Sequence, residues 1–475
     1  MLIGTHVSRG QRIWGVVTIL PLALLLLASV ALAEPQLIAI GSVSGTYEDL
    51  AIETAPALEN GIPGNRLGGV GSGLAHAGGN IFLALPDRGP NAKAYNSAVD
   101  DTASYIPRFH TLSLSLAPSD AGSALPFTLT PMVIDTTLLS SKAPLVYGTG
   151  AGLGLGSGAP ALNAVDHTHY FSGRSDNFDP AHLSTFPFNG RLDPEGIRVA
   201  NDGRSVYISD EYGPNVYEFD RSSGRRIRAF AMPENLAVKL LSPVGNDEIT
   251  GNISGRVANK GMEGLAITPD GKTLVGVMQA ALIQDGGSII RIVTIDIRTG
   301  RTHQYAYPLT TGSGVSEILA INNDGLLLDE RDGKGLGDGS AAIVKQLFRV
   351  TLKGATDVSQ ISGSANLAPF ALPKTPFLDV VAALVASGVS AIHIPAKIEG
   401  ISFGPDVNMN GSVKHTLFIA TDNDFTAVTP DKNKVVTDNP NQFFVFAFDD
   451  TQLPGFVPQR FIRQHDDDDD HHGDD

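Results

Sequence analysis

Residues 193–220 read Asp193-Pro-Glu195-Gly196-Ile-Arg-Val-Ala-Asn201-Asp202-Gly203-Arg-Ser-Val-Tyr-Ile-Ser-Asp210-Glu211-Tyr212-Gly213-Pro214-Asn215-Val-Tyr-Glu-Phe-Asp220. A short strand opens on acids, an Asn-Asp-Gly turn reverses it, and a β-branched and aromatic strand ends on a second acidic cluster. This is half of a small antiparallel sheet. Both clusters stand at strand ends beside one another, which makes Asp193, Glu195, Asp210 and Glu211 a candidate site.

The unit recurs along the chain. Glu263-Gly264 opens an apolar strand that turns at Pro269-Asp270-Gly271, Glu317 opens one that turns at Asn323-Asp324-Gly325 and ends on Glu330-Arg331, and Glu399-Gly400 precedes a strand pair ending on Asp422-Asn423-Asp424. Upstream, Leu67–Leu74 and Asn80–Leu85 flank a Gly-rich turn and exit through Asp87-Arg88-Gly89-Pro90, while Gln36–Val43 reads as a separate first strand. Irregular repeats of short strands joined by tight turns predict an all-β fold, a single β-propeller. Five units are visible, and residues 118–190 have room for one or two more. Six blades are therefore expected, with seven as the alternative. Within 118–190 the Gly-rich run 148–158 lacks phosphate-loop spacing and reads as a surface loop. Residues 375–390 have helical spacing and a Gly stop, and predict one inserted helix.

Residues 1–33 read as a secretory leader: Arg9 and Arg12 precede an apolar run that ends in Ala31-Leu32-Ala33. Cleavage after Ala33 is the expectation, an uncleaved anchor the alternative. A cleaved chain has no stable membrane insertion, since no later stretch is long and apolar enough to span. The domain then covers 34–463, and 464–475 is an acidic tail whose charge cannot pack. With no cysteine, disulfides, thiol nucleophiles and Cys-based metal sites are excluded. A formal charge of −16 argues against nucleic acid as a partner and is compatible with cations.

At these motifs the chain resembles the phytase-like family of exported bacterial proteins, named for the esterase-like activity of phytase. The resemblance rests on Gly73-Leu74 with Asp87-Arg88-Gly89, Asp193-Pro-Glu195-Gly196-Ile197 with Asp210-Glu211-Tyr212-Gly213-Pro214, Asn259–Ala266 with Pro269-Asp-Gly-Lys, Glu330-Arg331, and Glu399-Gly400-Ile401 with Thr421-Asp422-Asn423. It covers about residues 36–450, and it implies a β-propeller and hydrolysis of a phosphate or other ester. Glu317 departs from the pattern, being followed by Ile318 where the other three glutamates are followed by Gly.

In a propeller the innermost strands line a central channel, so glutamates that open them gather at one mouth. Asp193, Glu195, Glu263, Glu317 and Glu399, with Asp422 and Asp424, are the candidate metal ligands, and hard oxygen donors suit Ca²⁺, with Mg²⁺ as the alternative. The plainer reading is that each glutamate accepts backbone N–H bonds from the next blade. Asp87, Arg88, Asp210, Glu211 and Arg331 are the candidate catalytic group: the arginines would grip a small anionic or ester substrate while a carboxylate or an activated water attacks. The plainer reading there is loop salt bridges.

Three further motifs are weaker. Asp406-x-Asn408-x-Asn410-Gly411 starts like a calcium loop but has Leu417 at its twelfth position, and a long hairpin turn explains it equally. Asp166-His167-Thr168-His169 lacks further ligands and reads as a loop. No G-x-S-x-G elbow is present, so an α/β-type serine hydrolase is not supported. The alternatives to a metal-dependent esterase are a non-catalytic propeller that binds a ligand or protein, and a lactonase-type propeller hydrolase.

Overall fold

A computed structural model describes residue 10 and residues 34–91, 98–99, 103–164 and 167–461. The leader (apart from Gly10), Asp166 and the acidic tail lie outside the described residues. No described helix is long and apolar enough to cross a membrane.

Five four-stranded antiparallel sheets form a β-propeller. From the innermost strand outward, blade 1 is Gly73–His76, Ile81–Leu85, Arg108–Pro118 and Phe127–Leu138. Blade 2 is Pro194–Val199, Ser205–Asp210, Asn215–Asp220 and Arg226–Ala229, and blade 3 is Met262–Ile267, Thr273–Met278, Ile289–Asp296 and Thr302–Pro308. Blade 4 is Gly314–Ala320, Gly325–Arg331, Lys345–Thr351 and Thr375–Asp379. Blade 5 is Lys397–Met409, Ser412–Asp422, Asn441–Phe448 and, as its outermost strand, Gln36–Val43 from the start of the domain. That pairing joins the two ends of the domain in one blade and closes the ring.

The expectation of six or seven blades is thus corrected to five among the described residues. Residues 118–190 supply the outermost strand of blade 1, Phe127–Leu138, and among the described residues add the two-residue ladder Ser140–Ser141 with His169–Tyr170, a few isolated bridges and one short 3₁₀ turn at Ala161–Ala164. The expected helix at 375–390 is also shorter. Thr375–Asp379 is the outer strand of blade 4, where Pro376 costs no ladder bond, and the helix is Val380–Ala386, capped by Asp379 accepting from the Ala382 N–H at 2.9 Å.

Five hydrophobic cores lie one between each pair of adjacent blades: Leu83, Ile197, Ile208 and Phe219 between blades 1 and 2, for instance, and Val277, Ile292, Ile318 and Leu328 between blades 3 and 4. A blade therefore buries both its faces, which is why Pro194–Val199 and Ser205–Asp210 are buried at every position instead of alternating. Glycines let the innermost strands meet. A Cβ on Gly196 would lie 2.6 Å from the Leu265 nitrogen, and one on Gly264 would lie 2.8 Å from the Glu317 Cα.

Candidate metal centre at the channel mouth

The register of each blade decides which side chains face the channel. In blades 2–5 the innermost strand carries a one-residue β-bulge against its neighbour: between Pro194 and Ile197, Met262 and Gly264, Val315 and Glu317, and Ile398 and Ile401. A bulge re-aims a side chain at a strand end. Glu195, Glu263, Ser316 and Glu399 occupy equivalent positions in it, and Ser72 stands there in blade 1. The same pairing sets a second ring at the exit of the second strands, made of Asp87, Glu211, Gln279, Arg331 and Asp422.

Glu317 falls one place later, where the other blades have glycine. Its carboxylate turns in among the innermost strands, accepting from the Leu265 and Ile318 N–H groups at 2.9 Å each and pairing with Arg198 Nη2 at 3.0 Å. Arg198 also donates to the carbonyls of Leu74 and Ile318 at 2.8 Å. This buried pair ties the innermost strands of blades 1 to 4 together, so Glu317 is engaged away from the acidic mouth.

Asp210 likewise faces away, because neighbours on a strand point to opposite faces. It accepts from the N–H groups of Asp193, Tyr212 and Gly213 at 3.1 Å each, and shapes the loop that presents Asp193 and Glu211. Burial raises its pKa to about 6. Glu330, its counterpart in blade 4, accepts from Tyr307 Oη at 2.5 Å and the Thr311 N–H at 3.0 Å in the same structural manner.

At the mouth, Asp193, Glu195 and Glu211 bring one carboxylate oxygen each to within 4.8 Å of one another. All three are buried. Asp193 accepts from the Arg88 backbone N–H at 3.0 Å and pairs with Arg88 Nη1 at 2.6 Å. Glu211 accepts from the Gly261 N–H at 3.2 Å, with Arg88 at 3.9 Å. No hydrogen-bond donor among the described residues reaches the Glu195 carboxylate. Burial, then repulsion from Glu263, Asp193, Glu211 and Asp87, pushes its pKa well up. Glu211 is raised by burial and by Glu263 and Asp193, with Arg88 opposing.

The rest of the ring is partly neutralised. Glu263 accepts from Gln279 Nε2 at 2.6 Å, but its Oε2 is buried with no partner among the described residues, and burial together with Glu399 pushes the group up to about 7. Arg331 pairs with Glu399 and stands 3.9 Å from Glu263. Burial opposes the charge on Arg331, but Glu399, Glu263, Asp329 and Asp422 outweigh it and raise its pKa above the ordinary value. Lys397 Nζ bridges Asp422 and Asp424 at 2.5 Å each. Asp87 accepts from the Gly89 N–H at 2.9 Å, and burial and then Asp422 raise its pKa well above the ordinary range.

The mouth therefore has an acidic side, Asp193-Glu195-Glu211 with Glu263 next to it, and a side whose acids are held by Arg331 and Lys397. The three glutamates expected to share one ion are divided between the two. The members that sequence reasoning did not single out are Gln279 and Lys397. Gln279 occupies the ring position at which the other blades carry Asp, Glu or Arg, and a strand alignment would have found it. An all-oxygen donor set of mutually repelling, buried carboxylates, one without a donor and its neighbour with an orphaned oxygen, fits a hard divalent cation.

The two other candidate metal motifs are plainer. Asn410 and Gly411 both have positive φ, 53° and 80°, and form the tip of a hairpin flanked by the Met409–Ser412 pair. Asp406 is bonded to His415 Nδ1 at 2.8 Å. His169 lies in the short ladder with Ser141.

The fold and site define a five-bladed β-propeller with an acidic, cation-suited channel mouth. The chain belongs to the phytase-like family, described as esterase-like activity of phytase, whose sequence profile matches residues 65–425. An uncharacterized secreted protein of Arthroderma benhamiae is 30% identical over 295 residues, which is 52% of this chain and 53% of that protein. The match thus spans about half the length of that curated relative. Among solved structures, the PQQ-bound aldose sugar dehydrogenase of Streptomyces coelicolor aligns over 88% of this chain and 95% of its own at a TM-score of 0.32 and 10% identity. Hydrazine synthase of Kuenenia stuttgartiensis aligns over 75% and 78% at a TM-score of 0.30 and 10% identity.

Proposed function

We propose that the chain is an exported, divalent-cation-dependent hydrolase of phosphate or other esters, working at the channel mouth. The observation that carries this reading is the buried trio Asp193, Glu195 and Glu211, with Glu195 lacking any donor among the described residues. Family membership supports ester chemistry, and the leader-like residues 1–33, with a relative described as secreted, support export.

Asp193, Glu195 and Glu211 would hold the ion, Ca²⁺ or Mg²⁺ by their chemistry, with Glu263 beside them. When bound, such an ion supplies Lewis acidity toward an ester or phosphoryl oxygen. Glu263, at about 7, can take up or release a proton near neutral pH, as a general acid or base requires. Arg88 and Arg331 would orient an anionic substrate by their planar forks, with Asp87 acting on Arg88 and Glu195 through its charge. Asp210 acts as a positioning residue through the loop it shapes. Lys397 keeps Asp422 and Asp424 engaged, so those two acids belong to the rim of the site.

The pairing of Arg88 with Asp193 and of Arg331 with Glu399 favours, as a second reading, a propeller that only binds a ligand at this mouth. One experiment separates the two. p-Nitrophenyl phosphate, bis-p-nitrophenyl phosphate and p-nitrophenyl acetate are assayed with Ca²⁺, Mg²⁺ or EDTA, on wild type and Glu195→Gln. Turnover that needs the cation and falls at least a hundredfold in Glu195→Gln supports the hydrolase. A folded protein that turns over none of the three overturns it.

A further inference from the structure

Beside the channel mouth lies a cavity of about 170 Å³, whose lining includes Arg88, Arg191, Tyr212, Glu248 and Arg256. Arg88 belongs to both places, since its guanidinium also holds Asp193. The other two arginines are almost wholly buried, at 2% and 1% exposure. Arg191 donates from Nη1 to the Ser175 carbonyl at 3.2 Å, with its guanidinium carbon 4.8 and 5.0 Å from the Phe178 and Tyr212 ring centres, and those two rings fix its plane. Arg256 donates from Nε to the Tyr212 carbonyl at 2.8 Å and pairs through Nη2 with Glu248 at 2.6 Å.

What is left over points to a ligand. Nε and Nη2 of Arg191 and Nη1 of Arg256 are buried without a hydrogen-bond acceptor among the described residues. Glu248 lies 3.8 Å from Arg191 Nη2, beyond a hydrogen bond, and accepts instead from the Ser242 N–H at 3.2 Å. Glu248 stands between the two guanidiniums and the charge of Asp210 also acts on Arg191, yet three donors stay unused in a nearly dry place. Buried donors of this kind are costly unless a partner completes them. The guanidinium fork matches the oxygens of phosphate or carboxylate. The cavity is smaller than the ~300–1,000 Å³ of whole-ligand sites, so it suits a single small group.

We infer that this cavity is an oxyanion pocket that anchors a phosphate or carboxylate group of the substrate, away from the bond that reacts. The anchoring role rests on the hydrolase reading above, whereas oxyanion binding by Arg191 and Arg256 does not. The pocket also answers an electrostatic need. A mouth crowded with carboxylates repels an anionic substrate, and fixed guanidinium donors next to it offset that repulsion and set which end of the substrate enters.

The test is calorimetric titration of inorganic phosphate, and separately acetate, into the EDTA-treated full chain, with chloride as control. Saturable binding of either anion without metal is expected. Arg256→Lys, which loses the fork, should weaken it about tenfold or more. Asn246→Asp puts a negative charge on the exposed rim of the cavity at no packing cost, and should weaken it in the same direction if the first variant folds poorly. Absence of binding to EDTA-treated wild type, or equal affinity in both folded variants, overturns the pocket. Binding that appears only with Ca²⁺ and vanishes in Glu195→Gln puts the anion at the mouth instead. That result overturns the pocket and leaves the proposed hydrolase standing.

Discussion

Substituting Glu263 by Gln should stabilise the ion-free protein, and by an amount that depends on pH. Burial and the Glu399 charge raise Glu263 from 4.5 to about 7, so the folded protein keeps a proton there that the unfolded chain has released. Folded-state pKa lies above unfolded-state pKa, so the protonated group contributes stability that is complete below pH 4.5 and is lost as pH rises through about 7. At about 1.4 kcal/mol per pH unit, the shift amounts to roughly 3 kcal/mol at pH 8. Unfolding entropy of about 2.1 cal/mol/K per residue over roughly 430 residues is about 0.9 kcal/mol/K, so the change in Tm is about 3–4 °C. Gln keeps the neutral shape and can still meet Gln279. Melting curves of EDTA-treated wild type and Glu263→Gln from pH 4.5 to 8.5 should therefore start together and diverge, with the variant higher by about 3–4 °C at the alkaline end. Parallel curves, or a variant that melts below wild type at the alkaline end, would refute the account of repelling buried carboxylates.

Three other outcomes follow from the same geometry. Arg198→Met, which leaves Glu317 buried without its cation, should cost about 3–5 kcal/mol in denaturant unfolding, and the double change Arg198→Met with Glu317→Leu should recover most of it. Gly264→Ala should destabilise by about 1–3 kcal/mol, because its Cβ meets the Glu317 backbone across the blade interface, and a soluble variant of unchanged midpoint would show that the strands can part. Added Ca²⁺ should raise the Tm of wild type more at pH 7.5 than at pH 5, where protonated carboxylates compete with the ion, and the opposite order would count against these ligands.

The propeller was legible because each blade announces itself locally, as an acid, an apolar strand and an Asp-Gly-type turn. The blade number was not, since residues 118–190 have the length of one or two blades but form the outermost strand of blade 1 and a short ladder. Glu195, Glu263 and Glu399 were legible as equivalent because each precedes a glycine. The missing glycine after Glu317 was the visible sign that the bulge there falls on Ser316, which turns the carboxylate to Arg198. Strand alternation alone separates Glu211, which faces the channel, from Asp210, which holds the loop. The split of the ring by Arg331, and the meeting of Arg191 with Arg256 and Glu248, come from contacts between distant segments and leave no local mark.

The central claim is that Asp193, Glu195 and Glu211 hold a divalent cation at the channel mouth, and calorimetric titration of Ca²⁺ and Mg²⁺ into EDTA-stripped protein tests it most directly. The account predicts saturable binding to wild type that weakens about tenfold or more in Glu195→Gln, a loss of about 1.4 kcal/mol or more. No binding of either ion, or binding of equal strength in folded Glu195→Gln, would contradict it.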